Sequence, residues 1–149
     1  MKTIGIVFLI LAVICSFVIW SFSAKSAANS TVDSEAARTA LEDLLEKLFG
    51  EDFDIDEYFI RKLAHFCEFA GLGFLVYMAF YFLGYGRIKL LVFTGTWGLI
   101  VAIADEILQL FYEGRSAQMS DVFLDMSGVV SAFLVLSVFF ALTNKKSRG

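Results

Sequence analysis

Residues 63–83 read LAHFCEFAGLGFLVYMAFYFL, an apolar run broken only by His65 and Glu68 near its start. Rising 1.5 Å per residue, a helix of this length spans about 30 Å, the thickness of a bilayer's hydrocarbon core. Working outward, Ile4 to Ser23 carries no charge, and Val122 to Thr143 carries only Asp125. Leu90 to Ala104 is uncharged and reaches Tyr112 once Asp105, Glu106 and Gln109 are taken into the helix. The pattern predicts four spans at about 4–23, 63–83, 90–112 and 122–143, hence an all-α polytopic integral membrane protein. A single domain over 1–149 is expected, built as a four-transmembrane-helix bundle. Composition agrees: 58% of residues are hydrophobic, seventeen are Phe and none is Pro, too apolar for an ordinary soluble domain.

Span one competes with a signal peptide, because Lys2 precedes it and Ser26-Ala27-Ala28 is a passable cleavage site. The run exceeds the usual apolar core of a signal peptide, about 7–15 residues, so an uncleaved anchor is expected. Cys15 and Cys67 both lie inside apolar runs, which excludes a disulfide framework and a zinc-knuckle spacing.

The net charge of −4 without a basic stripe excludes a nucleic-acid partner, whose phosphates need clustered Lys and Arg. An even number of spans places both termini on one side. Lys2, the connection with Arg87 and Lys89, and the tail with Lys145, Lys146 and Arg148 fall on that side, in segments without acids. The positive-inside rule makes it cytoplasmic. The opposite face also holds Lys25, Arg38, Lys47, Arg61, Lys62 and Arg115, but all sixteen carboxylates fall there or in the adjoining helix ends.

The outer loop, 24–60, opens with a Ser, Ala and Asn stretch that reads as a linker. An acidic amphipathic helix is expected from about Ser34 to Phe49, with Leu41, Leu44, Leu45 and Leu48 on one side and Glu42, Asp43 and Glu46 on the other. Gly50 would stop it. Such a helix can lie at the membrane interface or pack on the bundle mouth.

Ionisable residues inside a membrane are costly and point to function, and here they share one depth. His65 and Glu68 sit near the outer start of span two, Asp121 and Asp125 at the outer start of span four. Span three enters from the cytoplasm, so Asp105 and Glu106 lie roughly 22 Å deep, again in the outer third. Arg61, His65 and Glu68 fall within about 60° of one another on span two. Asp105 and Gln109 continue the face of Gly98 and Ala102, and Asp121 and Asp125 that of Gly128 and Ala132. Small residues let membrane helices approach closely, so both acidic faces extend packing seams, and the bundle is expected to open outward into a polar cavity. In a low-dielectric site the excess of acids over Arg61, Lys62 and Arg115 must be met by protons, water or a bound cation.

Two segments carry a resemblance: Arg61-Lys62-Leu63-Ala64-His65-Phe66-Cys67-Glu68-Phe69, and Asp105-Glu106-Ile107-Leu108-Gln109-Leu110-Phe111 through Gly114-Arg115-Ser116 to Asp121-Val122 and Asp125. Together, in this order, they resemble the VanZ-like membrane proteins over about 54–136. Glu113 departs from the pattern, since many relatives have Pro there. The resemblance implies a multi-pass protein of the bacterial plasma membrane, from a family whose namesake confers low-level resistance to teicoplanin, a lipoglycopeptide. It implies a functional polar cluster of Arg61, Lys62, His65, Glu68, Asp105, Glu106, Gln109, Arg115, Asp121 and Asp125.

Three functional classes stay open. The cluster can hold the head of an amphiphile (a lipoglycopeptide, a phospholipid or a lipid-linked cell-wall precursor) while its tail lies on aromatic helix surfaces. Alternatively, it forms an intramembrane metal-dependent enzyme, with His65 and Glu68 on one helix face and Asp105, Glu106, Asp121 and Asp125 completing an oxygen-rich site for Mg²⁺ or Mn²⁺. No cofactor is demanded, and a single His excludes zinc sites needing two or more. A small transporter is the third class, although no charged residue marks a path through the inner halves of the spans. Trp20 suits the interface belt, Trp97 suits packing, and Thr94 and Thr96 are expected to bond backbone carbonyls.

Overall fold

The computed structural model describes residues 1–24, 27–50, 54–112 and 116–146. Lys25, Ser26, Glu113, Gly114, Arg115 and Arg148 lie outside the described residues. The fold is all-helical: α1 (Lys2–Ser23), α2 (Ala27–Phe49), α3 (Glu57–Phe82), α4 (Arg87–Gln109) and α5 (Met119–Lys146). α1, α3, α4 and the Met119–Thr143 part of α5 are each long and apolar enough to cross a membrane.

Hydropathy marks the part of a helix that lipid surrounds, whereas hydrogen bonding fixes where it begins and ends, and the two differ here. α3 starts at Glu57 rather than Leu63 because Asp56 caps it, its carboxylate accepting the Tyr58 N–H at 3.4 Å. α4 starts at Arg87 and stops at Gln109. Leu110, Phe111 and Tyr112, expected inside that span, form a turn whose N–H groups reach back only three residues, to Ile107, Leu108 and Gln109. α2 begins at Ala27, so most of the stretch read as a linker is helical. No Gly or Pro interrupts residues 27–49, and nothing in that stretch stops a helix. It ends before Gly50, as its pattern predicts.

The four long helices form a ring in the order α1, α3, α5, α4, with α3 also touching α4 across it. Two neighbouring pairs run parallel. On α1 and α4 the partners keep a nearly constant offset: Ser16 with Trp97, Trp20 with Val101, Ser23 with Asp105. On α3 and α5 the pairs are Lys62 with Asp121, His65 with Asp125 and Tyr81 with Phe140. α2 packs on α3, and the Ile55 N–H donates to Glu42 at 3.0 Å. Leu41 and Leu45 are half-buried, while Leu44, Leu48 and Phe49 are exposed.

The α3–α5 pair is held by contact of backbones. A Cβ on Gly128 would land on the Phe66 carbonyl oxygen and the Ala70 nitrogen, so only glycine fits there. Gly73 answers from α3, against the Val129 backbone, and the Val129 side chain fills the space over Gly98 of α4. This is the small-residue packing that brings membrane helices together where lipid removes the hydrophobic incentive. The α3–α4 connection is short, with Gly84 at φ 90°, a left-handed conformation that favours glycine.

The two ends of the bundle differ in chemistry. At one end the rings of Tyr81 and Phe140 stack at 4.1 Å, Tyr77 stacks on the same Phe140, and Phe80 meets Phe93 at 4.5 Å. At the other lie the carboxylates. Between them, the Thr94 hydroxyl does not bond a carbonyl as expected; it is buried without a hydrogen-bond partner among the described residues.

Candidate functional site

The polar end gathers the last turns of α1 and α4 and the first turns of α3 and α5, which is why residues distant in sequence meet there. Asp105 of α4 is fully buried, and its Oδ2 accepts from the Ser23 hydroxyl of α1 at 2.7 Å and from Gln109 Nε2, one turn further along α4, at 3.0 Å. Asp125 of α5 is 1% exposed. His65 of α3 faces it, with Nδ1 at 3.8 Å from Oδ1, beyond hydrogen-bond reach. His65, Asp105 and Asp125 each offer one ligand atom, and these atoms all lie within 4.8 Å of one another.

Around this buried floor stands a half-exposed rim. The Lys62 ammonium donates to Asp121, which also accepts from Ser120 at 3.2 Å. Glu68 lies one turn beyond His65 on α3, half-buried and within electrostatic reach of Asp105. Glu106 is buried and accepts the Gln118 backbone N–H at 2.7 Å, which ties the connection before α5 to α4. Asp125 feels the charges of Asp105, Glu106, Asp121 and Glu68 together.

Of the residues singled out in the sequence, the structure brings Lys62, His65, Glu68, Asp105, Glu106, Gln109, Asp121 and Asp125 to one end of the bundle. The Arg61 guanidinium lies 5.9 Å from the centre of the Tyr58 ring, which Lys62 Nζ approaches to 5.0 Å. Arg115 lies outside the described residues. At this end three carboxylates (Asp105, Glu106 and Asp125) are buried by packing, while Lys62, His65, Glu68 and Asp121 remain partly accessible.

The sequence reading missed Ser23 and Gln118. A signal for Ser23 existed: Ser16, Trp20 and Ser23 recur at i, i+4 and i+7 on α1, one hydrogen-bonding face. Trp97 Nε1 donates to Ser16 Oγ at 3.1 Å, and Ser16 in turn donates to the Ala12 carbonyl. Trp20 Nε1 donates to the Val101 carbonyl at 3.2 Å, so this indole crosslinks two helices as well as sitting near a span's end. Beside these bonds an apolar groove of about 380 Å³ runs between α1 and α4, lined by Val13, Phe17, Trp20, Phe93, Trp97 and Ile100 among others.

Four spanning helices with an acid–imidazole cluster at one end and a helix between the first two spans define a polytopic membrane protein whose intramembrane ionisable groups gather at one end of the bundle. A sequence model of the VanZ/LLP1 family matches residues 6–140, and the chain belongs to that family. No curated protein matches it, and no solved structure does.

Proposed function

We propose that the chain acts at the outer face of the bacterial plasma membrane, with both termini cytoplasmic, by holding an amphiphilic molecule. The observation that carries this reading is the continuity of the α1–α4 seam. Trp20 and Val101 at the groove lie one turn before Ser23 and Asp105 at the cluster. An acyl chain would lie in the groove with its polar head at the cluster end of the bundle, where Lys62, His65, Glu68 and Asp121 are partly accessible. Apolar clefts with a few polar groups at one end are the usual form of sites for such ligands. The ligand class is a lipoglycopeptide, a phospholipid or a lipid-linked cell-wall precursor, and the role is envelope physiology or low-level teicoplanin tolerance.

The test is teicoplanin and vancomycin susceptibility in a sensitive Gram-positive host at matched membrane protein levels. Wild type is expected to raise tolerance to teicoplanin alone, and Glu68→Gln and Asp121→Asn to remove that protection. Equal protection by wild type and both variants would take the carboxylates out of the mechanism. Absence of protection by wild type would take the lipoglycopeptide out of it.

A second reading, an intramembrane metal-dependent enzyme acting on a lipid or lipid-linked wall precursor, is favoured by the convergence of His65, Asp105 and Asp125. Turnover of such a substrate that a chelator abolishes and a divalent metal restores would support it.

A further inference from the structure

We propose that His65, Asp105 and Asp125 form a binding site for one first-row divalent cation, held between α3, α4 and α5. The inference is independent of whether an amphiphile binds, because it concerns the buried floor rather than the rim or the groove.

Two observations carry it. The first is spacing. Around an ion with bonds of about 2.1 Å, neighbouring ligand atoms stand roughly 3 Å apart at a right angle and roughly 4.2 Å apart when opposite. The 3.8 Å between His65 Nδ1 and Asp125 Oδ1 is too long for a hydrogen bond and falls inside that range. The third ligand atom, from Asp105, lies within the same 4.8 Å group.

The second is Asp125 itself. Its carboxylate is almost inaccessible, and neither oxygen has a hydrogen-bond partner among the described residues. A buried carboxylate left in that condition is strongly destabilising unless a positive charge compensates it. Of the basic side chains on this part of α3, Lys62 is on Asp121, Arg61 lies near Tyr58, and His65, which carries charge only when protonated, faces Asp125. A divalent ion between the two aspartates supplies positive charge there and converts their mutual repulsion into shared attraction.

The donor set indicates which ion. One imidazole nitrogen and two carboxylates suit Mn²⁺, Fe²⁺ or Zn²⁺ better than Ca²⁺ or Mg²⁺, which prefer oxygen throughout. The surroundings are those of a positioned ligand: Ser23 and Gln109 both grip Asp105 Oδ2 and hold the carboxylate's orientation. Glu106 and Asp121, by contrast, are engaged by the Gln118 N–H and by Lys62, and stand outside the triad.

The experiment uses the full chain, purified in detergent, freed of its affinity tag and stripped with a chelator, with Mn²⁺ as probe. The chain has one histidine, so ¹⁵N-histidine labelling assigns any imidazole ligand without a mutation. One Mn²⁺ per chain is expected, with a nitrogen coupling in pulsed EPR that changes isotope pattern on labelling, and Zn²⁺ should displace it. Asp125→Asn should weaken Mn²⁺ binding by ~100-fold or more, with the elution profile and helical circular dichroism unchanged. Glu46→Gln, on the exposed acidic side of α2, should leave binding as it is. Mn²⁺ bound without histidine coupling, or binding lost in Glu46→Gln and kept in Asp125→Asn, would overturn the site and show adventitious surface binding only. No binding at stoichiometric concentration would overturn it as well, leaving a His65–Asp125 ion pair in its place. Because the labelling readout is made on wild type, failure of Asp125→Asn to fold does not blunt the test.

Discussion

The two ends of this bundle hold the same four helices together by different means. At the aromatic end, Tyr77, Tyr81 and Phe140 fill space with rings that lipid would solvate almost as well, so their contribution comes from stacking geometry and close packing. At the polar end, Asp105 and Asp125 are buried where lipid offers nothing in exchange, and each must be met from another helix. The aromatic end tolerates imperfection. The polar end does not, because a misplaced helix there strands a carboxylate. Specificity in the bundle therefore resides at the polar end.

That contrast can be broken experimentally, and the largest effect is expected where the helix backbones touch beside the polar end. Gly128→Ala drives a methyl into Phe66 and Ala70 and should cost about 1–3 kcal/mol, read as a lower Tm in detergent. An unchanged Tm would mean the α3–α5 seam has slack and does not fix the depth of Asp125. Next, Ser23→Ala removes a donor from Asp105 and should cost about 1 kcal/mol, while Ser23→Thr, which keeps the hydroxyl, should recover most of it. At the opposite end, Phe140→Leu should cost only about 0.5–1 kcal/mol and respond to neither salt nor pH; a larger loss than Ser23→Ala would reverse the ranking of the two ends. Smallest is the half-exposed rim, where Lys62→Met should change stability by less than about 1 kcal/mol. Whatever effect it has should shrink as salt is raised, compared by melts at low and high ionic strength.

The span count, the gathering of carboxylates at one end of the bundle and the small-residue faces were all readable in the sequence, because each follows from a period or a length. Gly98 and Ala102 on α4 and Gly128 on α5 are buried in the bundle as their spacing indicates. What periodicity does not carry is partner choice. Nothing in the α1 sequence by itself says that Ser23 bonds Asp105, since that depends on α1 and α4 lying parallel and in register. Helix angle also does not reveal that Arg61 and Lys62 share the ring of Tyr58, because long flexible side chains choose among neighbours. The early start of α2 was hidden because Ser, Asn and Thr are indifferent helix formers, and the absence of a breaker decided the matter.

The parallel pairing of α3 with α5 also sets an order of assembly. Chain synthesis delivers α1 before α4 and α3 before α5, so Asp105 can take the Ser23 hydroxyl as soon as α4 enters the bilayer. Lys62 and His65, already inserted with α3, meet Asp121 and Asp125 only when α5 arrives. A chain that ends before Met119 leaves both basic groups in the membrane without those acids, a state that burial disfavours. The pairing of α3 with α5 thus makes the burial of Lys62 and His65 depend on a helix inserted after them.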